Sequence, residues 1–200
     1  MRERLDLQLA STSPRRRDLL TRAGLRFVLC EPGPEYAPGA GDEHGSEPGD
    51  PAAHALERAT RKGEGAVAVA AAVPVLAVDT VVDLDGRELG KPRDRDAAER
   101  MLRALAGRTH RVHTAHWLGW PGRSPGATRL CTAEVACGEP DAKGLDRYLA
   151  SGQWRGKAGS YGLQDDAQSF FRVVAGSFDT VVGLHVEAVR ELLRQLGEPR

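Results

Sequence analysis

The sequence predicts an α/β fold in which strand-like and helix-like segments alternate along 200 residues. Two observations carry that expectation. Short runs that are alternately or continuously apolar recur between stretches whose apolar residues fall three and four apart, and glycine or proline punctuates the joins. An apolar content of 40% is enough for one sizeable core, so a single domain over residues 1–200 is expected.

Leu5, Leu7 and Leu9 alternate with Asp6 and Gln8, which predicts a half-buried strand ending at Ala10-Ser11. A helix follows, with Ser13 as N-cap, Pro14 in its first turn, and an apolar stripe of Leu19, Leu20 and Ala23 that stops at Gly24. Leu25 to Cys30 reads as a second strand. Residues 31–51 hold five prolines, five glycines, six acids and no Lys or Arg, a composition that resists helix and strand and predicts a mobile loop. Ala52 to Ala72 is Ala-rich and reads as helix. From Pro74 a buried strand, PVLAVDTVVDL, runs to a turn at Asp85-Gly86 and returns through Arg87 to Gly90.

Asp94 or Asp96 caps the clearest helix, with Ala98, Met101, Leu102 and Leu105 on one face and Gly107 at its end. Arg108 to Trp120 and Thr128 to Cys137 are rich in Val, Thr and Trp and read as paired strands. Asp141 to Ser151 reads as a short helix, Phe170 to Val174 and Val181-Val182 as extended, and Val186 to Gly197 as the closing helix.

Charge excludes several functions. Twenty-eight basic and 28 acidic residues cancel, so no global field attracts nucleic acid or an anionic membrane, and only ten aromatic residues are present, without an aromatic-basic stripe. The longest apolar run, Ala66 to Val78, is broken by Pro74 and is shorter than the roughly 18 residues a membrane span needs. The charged start, MRERLDLQLAS, does not resemble a secretory signal, so a cytoplasmic location is expected. Cys30, Cys131 and Cys137 lack paired spacing and read as reduced thiols.

The chemistry is concentrated at a few positions. Arg15, Arg16 and Arg17 crowd the first turn of the first predicted helix, where the backbone N–H groups are already positive. Such frustration is relieved by an anion, and a helix N-terminus after a strand suits phosphate. A solvated basic turn is the alternative. Asp79 stands inside a strand predicted to be buried, where a carboxylate needs a cation, a metal or several donors. It would either activate water near phosphate or serve in a structural ion pair. Lys91 lies between Gly90 and Pro92, and Lys157 in a Gly-rich connection through Gly162 to Gln164. His110, His113 and His116 follow a spacing that a helix would turn into a metal face, but on a strand His113 points away from the other two, so no metal role is assigned to them.

Taken in order, LQLASTSPRRRDLLTRAGL, AVDTVVDLDGRELGKPRDRDAAERMLRALAGRTHRVHT, GKAGSYGLQ and VVGL resemble the Maf family of nucleotide pyrophosphatases over nearly the whole chain. The resemblance implies an α/β fold with a curved mixed sheet, flanking helices, and two lobes around a substrate cleft. It implies hydrolysis of a nucleoside triphosphate to monophosphate and pyrophosphate, with Mg²⁺ or Mn²⁺ as cofactor and a homodimeric state. Asp79 matches the catalytic carboxylate, a proton acceptor near the divalent metal. Ser11, Arg15, Arg16, Lys62 and Lys91 match phosphate-handling positions, Glu35 matches the family's glutamate in the acidic loop, and Lys157 belongs to the GKAGSYGLQ motif.

Arg15, Thr80 and Gln164 match positions that separate substrate classes, and Tyr161-Gly162-Leu163-Gln164 resembles the branch acting on dTTP and UTP. A neutral amide at Gln164 can pair with a pyrimidine imide without burying a charge. Two alternatives stand beside this reading: a pyrophosphatase for 7-methyl-GTP or other modified nucleotides, and a nucleotide-binding regulator of septum formation with little turnover. Four departures from the family pattern are notable. Gly63 replaces a usual Ala and is expected to loosen the helix carrying Lys62. Asp165 and Asp166 replace a Gly-rich stretch, adding repulsion or metal ligands near the triphosphate. His185 stands where Pro is customary, with only a local effect expected. The acidic loop lacks a clean Asp-Glu pair.

Overall fold

A computed structural model describes residues 5–35, 49–123, 125–165 and 169–197. Seven strands form one mixed sheet flanked by helices. The chain begins with β1 (Leu7–Ala10), α1 (Pro14–Arg22), β2 (Phe27–Cys30), α2 (Pro51–Glu64) and the hairpin β3 (Val75–Leu84) with β4 (Arg87–Leu89). It continues with α3 (Arg95–Leu105), β5 (Thr109–Gly119), β6 (Ala127–Cys137), α4 (Ala142–Ser151), β7 (Phe171–Ala175), α5 (Phe178–Val182) and α6 (Val186–Leu196). The strand order is β2-β1-β3-β5-β6-β7, with β4 added beside β3. β1 runs parallel to β2 and β3, whereas β3, β5, β6 and β7 pair antiparallel.

The long strand β3 organises the core because both of its faces are covered, which is why its sequence is apolar almost throughout. Val75, Ala77 and Val81 face α2 and pack with Ala55, Ala59, Ala115 and Trp117. On the other face Leu76 and Val78 pack with Leu20, Leu118, Leu184 and Leu192, from α1, β5 and the α6 region. Farther along that face, Val82 and Leu84 join a separate cluster with Leu102, Leu105, Tyr148, Trp154 and Phe171. The division falls at Thr80.

Pairing also breaks there. β1 pairs with β3 from Gln8↔Val75 no farther than Ala10↔Ala77, and β4 begins to pair only at Val82↔Leu89. Between these registers, the edge of β3 on that side has no strand partner among the described residues, so an interior strand presents its backbone and side chains to a cavity.

Several expectations are corrected. β1 is buried on both faces rather than half-buried, because Gln8 is enclosed and fully bonded: its amide donates to the carbonyls of Ala70 and Val73 and accepts from Val69 N and Ala70 N. The helix expected to Ala72 ends at Glu64, where Gly65 N closes on Arg61 O, and residues 66–73 are held by Gln8 instead. Val181 and Val182 are helical, not extended, because the Ser177 side chain caps α5 and Gly183, at φ 116°, ends it. Ser13 occupies the N-cap of α1 without a side-chain capping bond. Residues 36–48 of the expected loop, and Asp166, lie outside the described residues.

The remaining elements follow the sequence closely. Asp94, not Asp96, caps α3 by accepting from Ala97 N at 2.7 Å. His110, His113 and His116 lie on a strand with separate partners: Tyr161 for the first, Asp83 and Thr132 for the second, Arg129 O and His185 N for the third. The three cysteines are free thiols. Among the described residues no helix is long and apolar enough to cross a membrane.

Candidate active site

The gap in the sheet opens into a cavity of about 570 Å³. Ser11, Arg15, Arg16, Glu35, Lys62, Asp79, Thr80, Lys91, Lys157 and Gln164 all line it, whereas Arg17 of the basic turn does not. They come from the end of β1, the first turn of α1, the segment after β2, the end of α2, mid-β3, the turn after β4 and the Gly-rich stretch near Ala158–Ser160. The last two are tied together by Gly159 N donating to Gly90 O at 3.1 Å, so the Lys91 turn and the Lys157 segment form one wall.

Alternation along β3 sends Asp79 and Thr80 to opposite faces, each to a different set of partners. Asp79 faces α2, where Lys62 Nζ lies 2.5 Å from its Oδ1 and 3.1 Å from Glu35 Oε2. Asp79 is only 4% exposed, and its Oδ2 is buried without a hydrogen-bond partner among the described residues. Burial is the main influence on its carboxyl and raises its pKa above the ordinary value, with Lys62 opposing. Burial works in the same direction on Glu35, but Lys62 and Lys91 together outweigh it and hold that carboxyl lower.

Lys62 reaches Asp79 because α2 lies close against the sheet. Gly63 packs on the indole of Trp117, and a Cβ at this position would overlap the ring. Gly119 and Gly126 border the same ring, so three glycines make room for one buried tryptophan. The glycine at 63 therefore seats the helix and fixes the height of Lys62, rather than merely loosening it.

On the other face of β3, Arg16 is held by three acceptors. Its Nε donates to Gly183 O at 2.8 Å, Nη1 to Ser11 Oγ at 3.1 Å and Nη2 to Thr80 Oγ1 at 3.2 Å. A guanidinium has five N–H donors, so two remain for a ligand while the plane stays fixed. Burial lowers the pKa of both Arg15 and Arg16 from the ordinary arginine value, with Asp165 opposing at the first and Asp79 at the second. Gly183 permits the close approach: a Cβ there would sit 3.3 Å from Thr80 Oγ1 in a left-handed backbone region.

Two contacts revise the expected effect of the unusual residues. Asp165 is paired with Lys157 Nζ, with Tyr148 OH 3.5 Å away, so its charge is answered within the wall. His185 does more than alter a turn: its backbone N–H, which proline would lack, donates to His116 Nε2 at 2.9 Å, and its ring caps α6 through Ala188 N. The sequence reading missed Thr114, which joins Thr80 to the α5 backbone, and the Gly183 carbonyl that orients Arg16. Neither residue carries a local signal, since a threonine in a strand and a glycine after a helix are ordinary.

The family described as Maf-like protein matches residues 6–196. The chain is 42% identical over 198 residues to the dTTP/UTP pyrophosphatase of Bordetella avium (strain 197N), covering 96% of this chain and 95% of that protein. It is 36% identical over 196 residues to the dTTP/UTP pyrophosphatase of Shewanella denitrificans, covering 95% and 96% respectively. Identity to the dTTP/UTP pyrophosphatase of Lacticaseibacillus casei (strain BL23) is 34% over 192 residues, covering 96% and 98%.

Proposed function

We propose that this chain, which belongs to the family of Maf-like proteins, hydrolyses dTTP and UTP to the monophosphate and pyrophosphate in the cavity at the β3 gap. The observation that carries the reading is the state of Asp79. One carboxylate oxygen is anchored by Lys62 and the other is buried with no partner among the described residues, in a cavity that Arg15, Arg16 and Lys91 also line. The names of the relatives supply the substrate pair.

The donor set suits a divalent cation of the Mg²⁺ or Mn²⁺ type. Among the described residues no group of three or more His, Cys, Asp or Glu side chains could hold a metal by itself. Mg²⁺ does not need such a cage, because it binds through one or two carboxylates together with substrate phosphates and water. Asp79 and Glu35 would hold it, and when bound it would supply neutralisation of the triphosphate charge.

The chain's own residues do the rest. Ser11, Arg15, Arg16, Lys91 and Lys157 bind and orient the phosphates, with the Arg16 plane preset by its three acceptors. Asp79 accepts a proton from the attacking water. The water oxygen forms the new bond to the α-phosphorus, the bond from that phosphorus to the bridging oxygen breaks, and pyrophosphate departs with the bond's electron pair. No covalent enzyme intermediate is formed. Gln164 at the cavity rim selects the base through its amide, with Thr80 and Arg15 completing the selection. The family likeness also supports a homodimer, and the apolar content a single domain; a cytoplasmic location completes the reading.

The test is pyrophosphate release from dTTP, UTP, CTP, GTP and 7-methyl-GTP with Mg²⁺ or Mn²⁺, in the parent chain and in Asp79→Asn. Turnover of dTTP and UTP that disappears in the variant is expected. Turnover confined to 7-methyl-GTP would overturn the base assignment, and turnover of none would favour a nucleotide-binding regulator.

A further inference from the structure

We infer that Thr114 is a positioning residue for the proposed reaction: it sets the proton direction of the Thr80 hydroxyl and thereby holds Arg16 in its phosphate-binding plane. The inference deepens the pyrophosphatase reading and rests on it for the identity of the anion. Thr114 is fully buried on β5, directly opposite Thr80 in the antiparallel register. Its Oγ1 lies 2.7 Å from Thr180 O and 3.0 Å from Thr80 Oγ1.

A hydroxyl has one proton. The Thr180 carbonyl can only accept, so the Thr114 proton is committed to it. The need at that carbonyl is real, because Gly183 N and Leu184 N both close α5 on Asp179 O and leave Thr180 O to other donors. Toward Thr80, Thr114 therefore only accepts, and Thr80 must donate. Thr80 then faces Arg16 with lone pairs alone and accepts from Nη2 at 3.2 Å. The chain runs in one direction, from Arg16 through Thr80 and Thr114 to the α5 backbone.

Two consequences follow for the site. Thr80 has no proton left for a phosphate oxygen, so its contribution to anion binding passes through Arg16. The same short helix that receives the relay also leads to Gly183, whose carbonyl accepts from Arg16 Nε. The guanidinium is thus held at two corners by groups that converge on α5, and its two remaining N–H donors are aimed before the substrate arrives.

Thr114→Val keeps the shape and removes the hydroxyl, releasing the Thr80 proton to point elsewhere. Binding of inorganic pyrophosphate, measured by titration calorimetry with and without Mg²⁺, should weaken ~10-fold, the scale of one mis-set hydrogen bond to a charged group. Thr114→Ser restores the hydroxyl and should recover parental affinity to within about twofold. In a Thr80→Ala background, Thr114→Val should have no further effect on affinity.

Unchanged affinity in Thr114→Val with only a lower melting temperature would reduce the residue to a structural role and overturn the inference. So would an equal loss in Thr114→Ser, or an undiminished loss in the Thr80→Ala background. Should Thr114→Val fail to fold, Thr80→Val interrogates the same relay from its other end, with the same ~10-fold loss expected and parental affinity overturning it. A parent chain that binds pyrophosphate through the relay but turns over no nucleotide would defeat the pyrophosphatase reading and leave this one standing.

Discussion

Protonation of His116 should release α6 from the sheet, and the size of the effect follows from the structure. The imidazole is completely buried. Its Nδ1 lies 3.2 Å from Arg129 O, and its Nε2 accepts from His185 N at 2.9 Å. A carbonyl on one side and an N–H on the other require the neutral tautomer with its proton on Nδ1. A second proton would have to enter at Nε2 and break the bond to the α6 N-cap. Burial is the main cause of a pKa lowered from 6.5 to about 4, with the positive charges of Arg16 and His185 acting in the same direction and the Arg129 carbonyl opposing.

The folded pKa lies below the unfolded one, so the unfolded chain takes up a proton that the folded chain refuses. Stability is therefore lost as pH falls from 6.5 toward 4 and levels off below. Between pH 7 and pH 5 the linkage relation gives a loss of about 2 kcal/mol for this group. Urea unfolding at pH 7, 6 and 5 measures it, with His116→Gln as reference, because an amide supplies a donor and an acceptor but does not titrate. Terms from Asp79, Glu35 and His110 are common to both proteins and cancel. Parent and variant losing stability equally over this range would refute the locked neutral tautomer.

Two further predictions concern α2. Gly63→Ala forces a methyl into the Trp117 ring, and overpacking should outweigh the helix-propensity gain for a net loss of roughly 1–2 kcal/mol. Trp117→Leu in the same chain should relieve the clash, and Gly63→Ala being as stable as the parent in urea unfolding would contradict this packing account. Lys62→Met removes the cation beside Asp79, so the Asp79 carboxyl should rise further and the acid limb of the kcat/KM profile should move to higher pH with lower activity. An acid limb that stays in place would show that Lys62 does not govern Asp79.

Much of this protein was legible in the residue order because local signals agree with the fold. The apolar run around Asp79 declares a strand buried on both faces, and a carboxylate within it announces a partner. Asp94, one of the two caps the sequence offers, starts α3, and α4 lies where the sequence places a short helix. The basic first turn of α1 likewise points to an anion. The misreadings arose where helix caps or long-range contacts overrode residue type. Val181 and Val182 favour extension by type, yet Ser177 and Gly183 turn them into α5; Gln8 looks like the wet face of a strand, yet it holds the segment after α2.

By itself, the sequence determined the chemical inventory of the site, because reactive side chains are chosen for what they are: a buried acid, paired arginines, and lysines beside glycines. Only the tertiary structure decided their arrangement. That β1 and β4 leave an unpaired stretch on β3, that Lys62 meets Asp79 on one face while Arg16 meets Thr80 on the other, and that Thr114 directs the hydroxyl between them all depend on strand register and helix seating. Register is a relation between segments far apart in the chain, with energies set by packing across the sheet, and no single stretch of sequence carries it.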